Sequence, residues 1–348
     1  MISVQIEKLG SATSPLRLDG PVRILARHDF PVGGDVVVVR ALTESITYGQ
    51  IELPTGRLAK IRRNDVLAGV LGKRRALRGF VGDVPEAVTT GDRLHLLNMG
   101  GVIGVCTGHH SSLEDALEVE VVGIACDKEG AILNISDNAL PHSKFLSIST
   151  PVVMVAGTCM NSGKTVAAAE IIKQATNSGH RVAGAKLSGI ACLRDTLNME
   201  DHGAVATASF LDCGLPSTVD HGDLPSVAKG ILNHLEGFSP DLIVAELGDG
   251  ILGGYSVESV LADEQIRSAI SALVFCASDY VGVVGGIYAL GQIGYRIDLV
   301  AGSVTDSRMG EKFIKDNFGL ESANAARNGR RLFEILEART FAGLPLIG

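Results

Sequence analysis

Residues 157–165 read Gly-Thr-Cys-Met-Asn-Ser-Gly-Lys-Thr, and they stand between the apolar run Val152–Ala156 and the helix-forming run Val166–Ile172. Glycines at both ends of such a loop let backbone N–H groups turn toward an oligophosphate. The N-terminus of the following helix adds free donors and a favourable dipole. The order of strand, glycine-bounded loop and helix therefore predicts a phosphate-binding loop for a nucleoside triphosphate.

Each part of this loop has its own predicted role. Lys164 is expected to reach the β- and γ-phosphates, and the hydroxyl of Thr165 to ligate Mg²⁺. The predicted nucleotide-binding residues are Gly157, Thr158, Asn161, Ser162, Gly163, Lys164, Thr165 and Val166. Five residues separate the two glycines, one more than in the commoner spacing of such loops, and the alternative reading is a strand-to-helix turn without a ligand.

The composition limits the class of protein. The chain has 348 residues, a net charge of −8 and six cysteines without a CxxC pair. This length suggests two domains, the acidic balance argues against a globally nucleic-acid-binding protein, and the scattered cysteines fit free thiols. Because no run of about 18 apolar residues and no signal-peptide pattern is present, we expect a cytoplasmic protein without a membrane span.

The two halves of the chain follow different patterns. Residues 1–148 show short β-rich runs between turn signals, which predicts a smaller barrel or sandwich-like domain, with a short helix over Ser111–Leu117. Residues 149–348 alternate apolar strands with helices, which predicts an α/β domain with a mostly parallel, doubly wound sheet. A helix is also expected over Asp201–Leu211, and Asn134–Thr150 is the predicted linker.

The second half resembles a known family. The resemblance covers the phosphate loop, a strand that ends in Lys before Ser-Gly, a strand that ends in Glu before a glycine-rich turn, and a strand whose end contacts the nucleobase. These segments are residues 157–165, 180–189, 241–254 and 298–306. Together they resemble the P-loop NTPase domain of dethiobiotin synthetases and cobyrinic acid a,c-diamide synthases, over roughly residues 150–320.

The strand ends and the resemblance predict roles for three side chains outside the loop. Lys186 emerges at a strand end, where it would neutralise a transferring phosphoryl group or a substrate carboxylate, so Lys164 and Lys186 are the predicted catalytic residues. Glu246 follows a buried strand, where a carboxylate can hold Mg²⁺. The resemblance places Asp201 as a second Mg²⁺ ligand, with Glu200 as an equal alternative on spacing alone.

The chain also departs from the family. Cys159, Met160 and Asn161 replace acidic and hydroxyl residues of the loop, and Lys186-Leu187 replaces a Lys-Pro step. These changes argue against the family's diaminopelargonate substrate. Asp306 stands where the family offers Asn to the nucleobase. An Asp accepts two hydrogen bonds and would suit guanine, so GTP is the alternative to ATP.

Two further clusters have less specific interpretations. Eight basic residues and one acidic residue fall within Arg57–Arg78, which indicates a solvated or interdomain face, with nucleic acid as the alternative. Cys106, His109 and His110 are three metal-ligand types within five residues, but a zinc site normally needs ligands from a second segment.

The sequence therefore predicts a Mg²⁺-dependent, ATP-binding enzyme that activates a small carboxylate by phosphoryl transfer for ligation or cyclisation. One alternative is a nucleotide-switched accessory NTPase for cofactor insertion, and another is a P-loop kinase. A homodimer is implied by the resemblance alone.

Overall fold

The computed structural model of the protein describes residues 2–45 and 47–341. It consists of two compact units. Within the described residues, the N-terminal unit comprises the chain up to Pro141 together with residues 189–194 and 210–220. The C-terminal unit comprises the chain from His142 onward without those two segments. The sequence placed the division after residue 148 and did not indicate the two inserted segments.

The N-terminal unit is built from short strands. In the described residues they are β1 (Ile2–Val4), β2 (Lys8–Leu9), β3 (Val22–Leu25), β4 (Arg27–His28), β5 (Val36–Ala41), β6 (Gln50–Glu52), β7 (Leu58–Lys60), β8 (Val66–Leu71), β9 (Arg74–Arg75), β10 (Phe80–Asp83), β11 (Val88–Thr89), β12 (Arg93–Leu96), β13 (Val102–His109) and β14 (Glu118–Cys126). Short 3₁₀ helices cover Ser11–Leu16 and Ile135–Asn138.

Five of these strands close into a barrel. β5 pairs with β8, β8 with β13, β13 with β12, β12 with β14, and β14 returns to β5. The β8–β13 pair is parallel and the other four are antiparallel. Buried aliphatic side chains such as Leu67, Leu94 and Ile103 fill the core of this unit. The predicted β-rich domain is confirmed, and pairing around the ring makes it a barrel rather than a sandwich.

The helix predicted over Ser111–Leu117 is wrong. This segment forms a turn that leads into β14, with Leu113 N donating to His110 O over 2.9 Å. Leu117 already takes part in the sheet, because its carbonyl accepts from Leu96 N over 2.9 Å. Seven residues give too few backbone hydrogen bonds to offset helix nucleation, so the sheet pairing wins.

The C-terminal unit alternates strands and helices. Its strands are β15 (Val152–Gly157), β16 (Val182–Ser188), β17 (Ala206–Ser209), β18 (Leu242–Leu247), β19 (Ile270–Cys276), β20 (Leu299–Ala301) and β21 (Glu321–Ser322). Its helices are α1 (Lys164–Asn177), α2 (Arg194–Asp201), α3 (Leu224–Glu236), α4 (Val257–Ala262), α5 (Glu264–Ala269), α6 (Tyr280–Gln292), α7 (Arg308–Phe318) and α8 (Ala325–Thr340), and a 3₁₀ turn covers Ser303–Thr305.

The seven strands form one sheet in the order β17-β16-β18-β15-β19-β20-β21. Every pair in this sheet is parallel, which confirms the predicted doubly wound α/β fold. β15 lies in the middle, and the next strand in the chain, β16, lies beyond β18 on one side. Such a reversal of strand order opens a crevice at the carboxyl ends of the central strands, which is where ligands bind in this fold class.

Helices cover the sheet on both faces. α1 and α8 share one apolar cluster with Val153 and Val155 of β15. α3 packs on β16 and β17, and its buried side chains are absent from that cluster. No helix in the described part of the chain has the length and apolar character needed to span a membrane.

The helix predicted over Asp201–Leu211 is also wrong. α2 ends at Asp201, and Ala206–Ser209 forms the edge strand β17, parallel to β16. Small residues such as alanine and serine have no strong period, so the sequence pattern did not distinguish an edge strand from a helix. The parallel pairing with β16 decides the conformation.

Candidate functional site

The loop between β15 and α1 has the backbone geometry that the sequence predicts. Asn161 and Gly163 have positive φ values of 62° and 100°, and these two left-handed residues turn the chain into α1. Gly163 is the N-cap of α1 and makes no side-chain capping hydrogen bond. The first-turn amides of a 14-residue helix therefore lack a side-chain cap and are available to an anion.

Lys164 lies folded back over the loop. Its ammonium donates to Cys159 O over 2.8 Å and lies 3.5 Å from Ser162 Oγ. The residue is 5% exposed. Burial, and next the nearby charge of Lys186, lower the pKa of Lys164 below its usual value. Among the described residues, the hydrogen-bond partners of this buried cation are neutral groups of its own loop, so it is poised to bind an anion such as a phosphate.

The carboxylate of Glu246, at the end of β18, lies beside the phosphate loop. Thr165 Oγ1 donates to Glu246 Oε1 over 2.9 Å. Glu246 is 1% exposed, and its other oxygen, Oε2, is buried without a hydrogen-bond partner among the described residues. An orphaned buried carboxylate oxygen next to a hydroxyl offers two hard oxygen ligands, which fits Mg²⁺.

The described residues contain no cluster of three His, Cys, Asp or Glu side chains that could hold a metal ion by themselves. A cation at Glu246 and Thr165 would therefore take its remaining ligands from water and from the phosphates of a nucleotide. This is the usual mode of Mg²⁺ binding in phosphoryl-transfer proteins.

Lys186 at the end of β16 bridges two carboxylates. Its ammonium lies 2.7 Å from Glu246 Oε1 and 2.6 Å from Asp195 Oδ2. Burial disfavours the charged form, but the charges of Asp195 and Glu246 outweigh burial and raise the pKa of Lys186. Lys186 is therefore a permanent cation at neutral pH, one strand away from the loop strand β15 through β18.

Sequence reasoning missed Asp195. The structure puts Asp195, in the first turn of α2, in contact with Lys186. Asp201, the predicted second metal ligand, lies at the other end of α2 and is exposed. Six residue steps along the helix separate them by about 9 Å along the axis, so the structure brings Asp195 and not Asp201 to Lys186. Glu200 accepts instead from Thr207 Oγ1 over 2.7 Å.

Two loops lie directly on the phosphate loop. Ile251 N, in the loop after β18, donates to Gly157 O over 2.9 Å. In the same loop, the charge of Asp249 acts on Lys164 and favours its protonated form. On the other side, the loop after β20 approaches so closely that a Cβ on Gly302 would stand 2.2 Å from Ser162 O. Both loops are therefore in a position to respond to a change in the phosphate loop.

Gly302→Ala is expected to weaken nucleotide binding by about tenfold or more and to destabilise the protein by about 2 kcal/mol. Gly302 has φ 88°, and the new methyl group would also meet Ala277 O at 2.8 Å, so backbone must shift on both sides. Nucleotide titration and thermal unfolding measure the two effects. Gly285→Ala in α6 is the matched control, because a Cβ there meets nothing within 4 Å. Equal behaviour of the two variants would contradict this role of Gly302.

Asp306, the predicted nucleobase contact, ends the 3₁₀ turn after β20 and is exposed. Its Oδ1 accepts from Asn324 Nδ2 over 2.8 Å. Asn324 is 4% exposed and caps α8 by accepting from Arg327 N, and Arg327 in turn donates to Thr305 O over 2.7 Å. The carboxylate is thus oriented by a buried amide and keeps free acceptor positions on its exposed side.

The basic stretch of the N-terminal unit does not form one exposed face. Arg74 is 2% exposed and lies over the ring of Tyr48 at 5.0 Å. Arg75 pairs with Asp83 at 2.5 Å, and Lys73 with Asp220 at 3.3 Å. The remaining members are exposed: Arg57, Lys60, Arg62, Arg63 and Arg78. Nucleic-acid binding through this stretch stays a prediction.

The cysteine and histidine cluster on β13 shows no metal geometry in the described residues. Cys106 N donates to His95 Nδ1 over 3.3 Å. His109 Nε2 lies 3.3 Å from the exposed Asp115, and His110 Nδ1 lies 2.8 Å from Ser112 Oγ. These side chains have local polar partners, and the structure does not gather them around one point.

The parallel sheet, the loop from β15 to α1 and the carboxylate on β18 define the C-terminal unit as a P-loop NTPase fold, preceded by a β-rich unit. No protein-family profile and no curated protein sequence matches the chain. Three solved structures are similar at a distance. The signal recognition particle receptor FtsY from Elizabethkingia anophelis in complex with GDP is 13% identical, with 57% of this chain and 67% of that chain covered and a TM-score of 0.37.

The second structure is the signal recognition particle 54 kDa protein from Aeropyrum pernix in complex with GDP, 15% identical, covering 55% of this chain and 48% of that chain with a TM-score of 0.37. The third is a DUF1611 family protein from Anabaena variabilis, 14% identical, covering 57% of this chain and 63% of that chain with a TM-score of 0.40. Similarity at this level says nothing about ligand or reaction, and the finer resemblance to dethiobiotin synthetases stays a prediction.

Proposed function

We propose that this protein binds a nucleoside triphosphate with Mg²⁺ at the loop 157–165 and hydrolyses it as a nucleotide-switched NTPase. Glu246 Oε2 carries this proposal, because it is buried beside the Thr165 hydroxyl and has no hydrogen-bond partner in the part of the chain that the structure describes. A buried carboxylate oxygen without a partner costs free energy unless a ligand compensates it, and a divalent cation is the ligand that this donor set suits.

In this proposal each residue has a defined task. The first-turn amides of α1 and the ammonium of Lys164 bind the phosphates. Thr165 and Glu246 would hold Mg²⁺, and the chemistry this cation would supply is neutralisation of phosphate charge. Lys186, charged and close to Glu246, stabilises the negative charge that develops on the transferred phosphoryl group.

The packing of the loops supports a switch. The loops after β18 and β20 both touch the phosphate loop, at Gly157 and Ser162 respectively. The chain also leaves this unit directly after Ser188 and re-enters it at Asp195, the residue that contacts Lys186. Contacts to a γ-phosphate at such loops are a common way to couple nucleotide state to conformation.

Binding and turnover of ATP and GTP by the purified protein test this function. We expect calorimetric binding that tightens with Mg²⁺, together with slow release of inorganic phosphate in the absence of any other substrate. Lys164→Met serves as the inactive control. Failure of both nucleotides to bind, with the wild-type protein folded, would contradict the proposal.

Activation of a small carboxylate is the second candidate. The observation that favours it is Lys186, a buried cation that can neutralise a carboxylate as well as a phosphoryl group. The two candidates differ in their requirement for an acceptor. A ligase-like enzyme would form ADP only when its carboxylate is present, whereas the switch releases phosphate with water alone, so a screen of small carboxylates under multiple-turnover conditions separates them.

Asp306→Asn is expected to reveal the base preference. If the protein prefers GTP, the Asp306 carboxylate accepts from N1–H and the 2-amino group of guanine, and its loss should weaken GTP binding by about 10- to 100-fold. Asn offers an acceptor to N1–H and a donor to the 2-oxo group of xanthine, so XTP binding should improve. Competition titrations with GTP, XTP and ATP measure this. An unchanged order of affinities would exclude Asp306 from base recognition.

A further inference from the structure

We propose that Lys186 is a displaceable counter-ion of the metal site. In the nucleotide-free protein Lys186 bridges Glu246 and Asp195. When a divalent cation binds, Lys186 gives up Glu246 and keeps Asp195, so that Asp195 is a positioning residue that sets the metal affinity. This inference rests on the proposed function and adds its regulation by two side chains.

The two oxygens of the Glu246 carboxylate differ in their partners, which indicates that the Lys186 ammonium can be displaced. Oε1 accepts from both Thr165 and Lys186, at 2.9 and 2.7 Å, while the buried Oε2 has no hydrogen-bond partner among the described residues. The ammonium therefore stabilises a carboxylate that would otherwise be an uncompensated buried charge. A cation bound by Thr165 and Glu246 would share the same carboxylate with Lys186, and like charges in one site repel each other.

Asp195 is the second partner of the ammonium and can hold it alone. Its Oδ2 lies 2.6 Å from Lys186 Nζ, and its side chain is 29% exposed, against 1% for that of Glu246. Asp195 belongs to α2 and Glu246 to β18, so the two carboxylates are on separate elements. The lysine has a flexible four-carbon stem, so a side-chain rotation is enough to break its hydrogen bond to the buried Glu246 while the contact with the more exposed Asp195 is kept.

Lys186, which competes with the metal ion for Glu246, stays charged near neutral pH. Its ammonium lies within 2.7 Å of two carboxylates, those of Asp195 and Glu246, which favour the charged form, so loss of its proton does not relieve the repulsion. The affinity for the cation is then governed by how strongly Asp195 draws the ammonium away. Removing the Asp195 charge should therefore lower the affinity for the cation, and removing the lysine should raise it. A purely structural role of these residues would not produce opposite effects.

The test measures Mn²⁺ binding by electron paramagnetic resonance in the presence of ADP and of GDP, which lack the γ-phosphate and so leave Lys186 without its proposed phosphoryl partner. Nucleotide binding in metal-free buffer is recorded first for every variant. Asp195→Asn is expected to weaken Mn²⁺ binding about tenfold and Lys186→Met to tighten it by a similar factor, the size typical of one charge in a partly buried site. Asp195→Glu, which keeps the charge, should restore the wild-type affinity.

The double variant is decisive. With Lys186→Met in place, Asp195→Asn should have no further effect, because no ammonium remains to be positioned. Weaker Mn²⁺ binding in Lys186→Met, or an undiminished Asp195→Asn effect in the double variant, would overturn the inference while leaving the proposed function intact. If Asp195→Asn does not fold, the sign of the Lys186→Met effect alone decides. Absence of nucleotide binding in the wild type would overturn both.

Discussion

Replacing Lys164 by Met is expected to abolish nucleotide binding while leaving the free protein at least as stable as the wild type. The two effects have one cause. The ammonium is buried and is held by a backbone carbonyl and a hydroxyl, without a carboxylate contact among the described residues. Burial and the charge of Lys186 lower its pKa. The free protein therefore carries a desolvation cost for this charge, which a bound phosphate would offset.

The lowered pKa of Lys164 also makes the stability effect of Lys164→Met depend on pH. Because the pKa of Lys164 is lower in the folded than in the unfolded chain, the unfolded chain holds the proton more tightly between the two values, and stability rises with pH there. The cost is present in full below the folded-state pKa and fades as the pH rises through it. The stability advantage of Lys164→Met should therefore be largest near neutral pH and shrink toward the usual lysine pKa.

Thermal unfolding with and without nucleotide measures both effects in one experiment. At a free ligand concentration of 100 Kd, binding to the wild type adds about 2.7 kcal/mol to the free energy of unfolding, and Lys164→Met should show no such gain. Lys173→Met on the exposed side of α1 is a suitable control, since the only ion pair of Lys173 within the described residues is with its own helix neighbour Glu170, at 3.6 Å. A nucleotide-induced gain in Lys164→Met equal to that of wild type would contradict the role of Lys164.

The phosphate loop could be predicted from the sequence because its determinants are local. Loop, capping position and helix start are contiguous, and the structure places Gly163 at the N-cap and Lys164 at the first position of α1, as predicted. Glu246 could be found for a related reason. A carboxylate at the end of an apolar run lies at the carboxyl edge of a parallel sheet, and all such edges meet on one side.

The rest of the site depends on contacts that no local pattern records. Asp195 could not be found because its helix, α2, was not expected at all, and only the fold of that segment brings it to Lys186. The close approach of Gly302 to Ser162 joins residues 140 positions apart, and any glycine after a strand would look the same in the sequence. Asn324 carried a usable signal, since Asn before an alanine-rich run is a typical helix N-cap.

The barrel of the N-terminal unit shows the same limit. Its strands were readable as short β-rich runs, but the pairing of β12 with both β13 and β14, which closes the ring, was not. That closure depends on strand tilt and register, which the alternation of apolar residues does not fix. Segments 189–194 and 210–220, which belong to this unit, lie far along the chain and could not be assigned to it from composition.

Glu246→Gln is expected to remove the Mg²⁺ dependence of nucleotide binding and to lower the turnover rate by about 10²- to 10³-fold. The amide keeps the size of the side chain and can still accept from Thr165, but it is a neutral and weaker ligand for a divalent cation. Lys186 retains Asp195 as a partner, at 2.6 Å, so the variant should fold. Titration of Mg²⁺ against nucleotide binding, alongside single-turnover phosphate release, measures both effects.

Glu246→Ala tests the second role of this carboxylate, which is to pair with the buried ammonium of Lys186 in addition to binding the metal ion. Removing one member of a buried ion pair typically costs about 3–5 kcal/mol, and the low end applies here because Asp195 still neutralises Lys186. Glu236→Gln is the matched control. Glu236 accepts from Ser149 and Thr150 in the same unit, so its loss should reduce stability without changing the Mg²⁺ dependence. If Glu246→Gln kept the full metal response, the orphaned Oε2 would be a structural defect and not a metal ligand, and the nucleotide would have to bring its cation to the loop without help from β18.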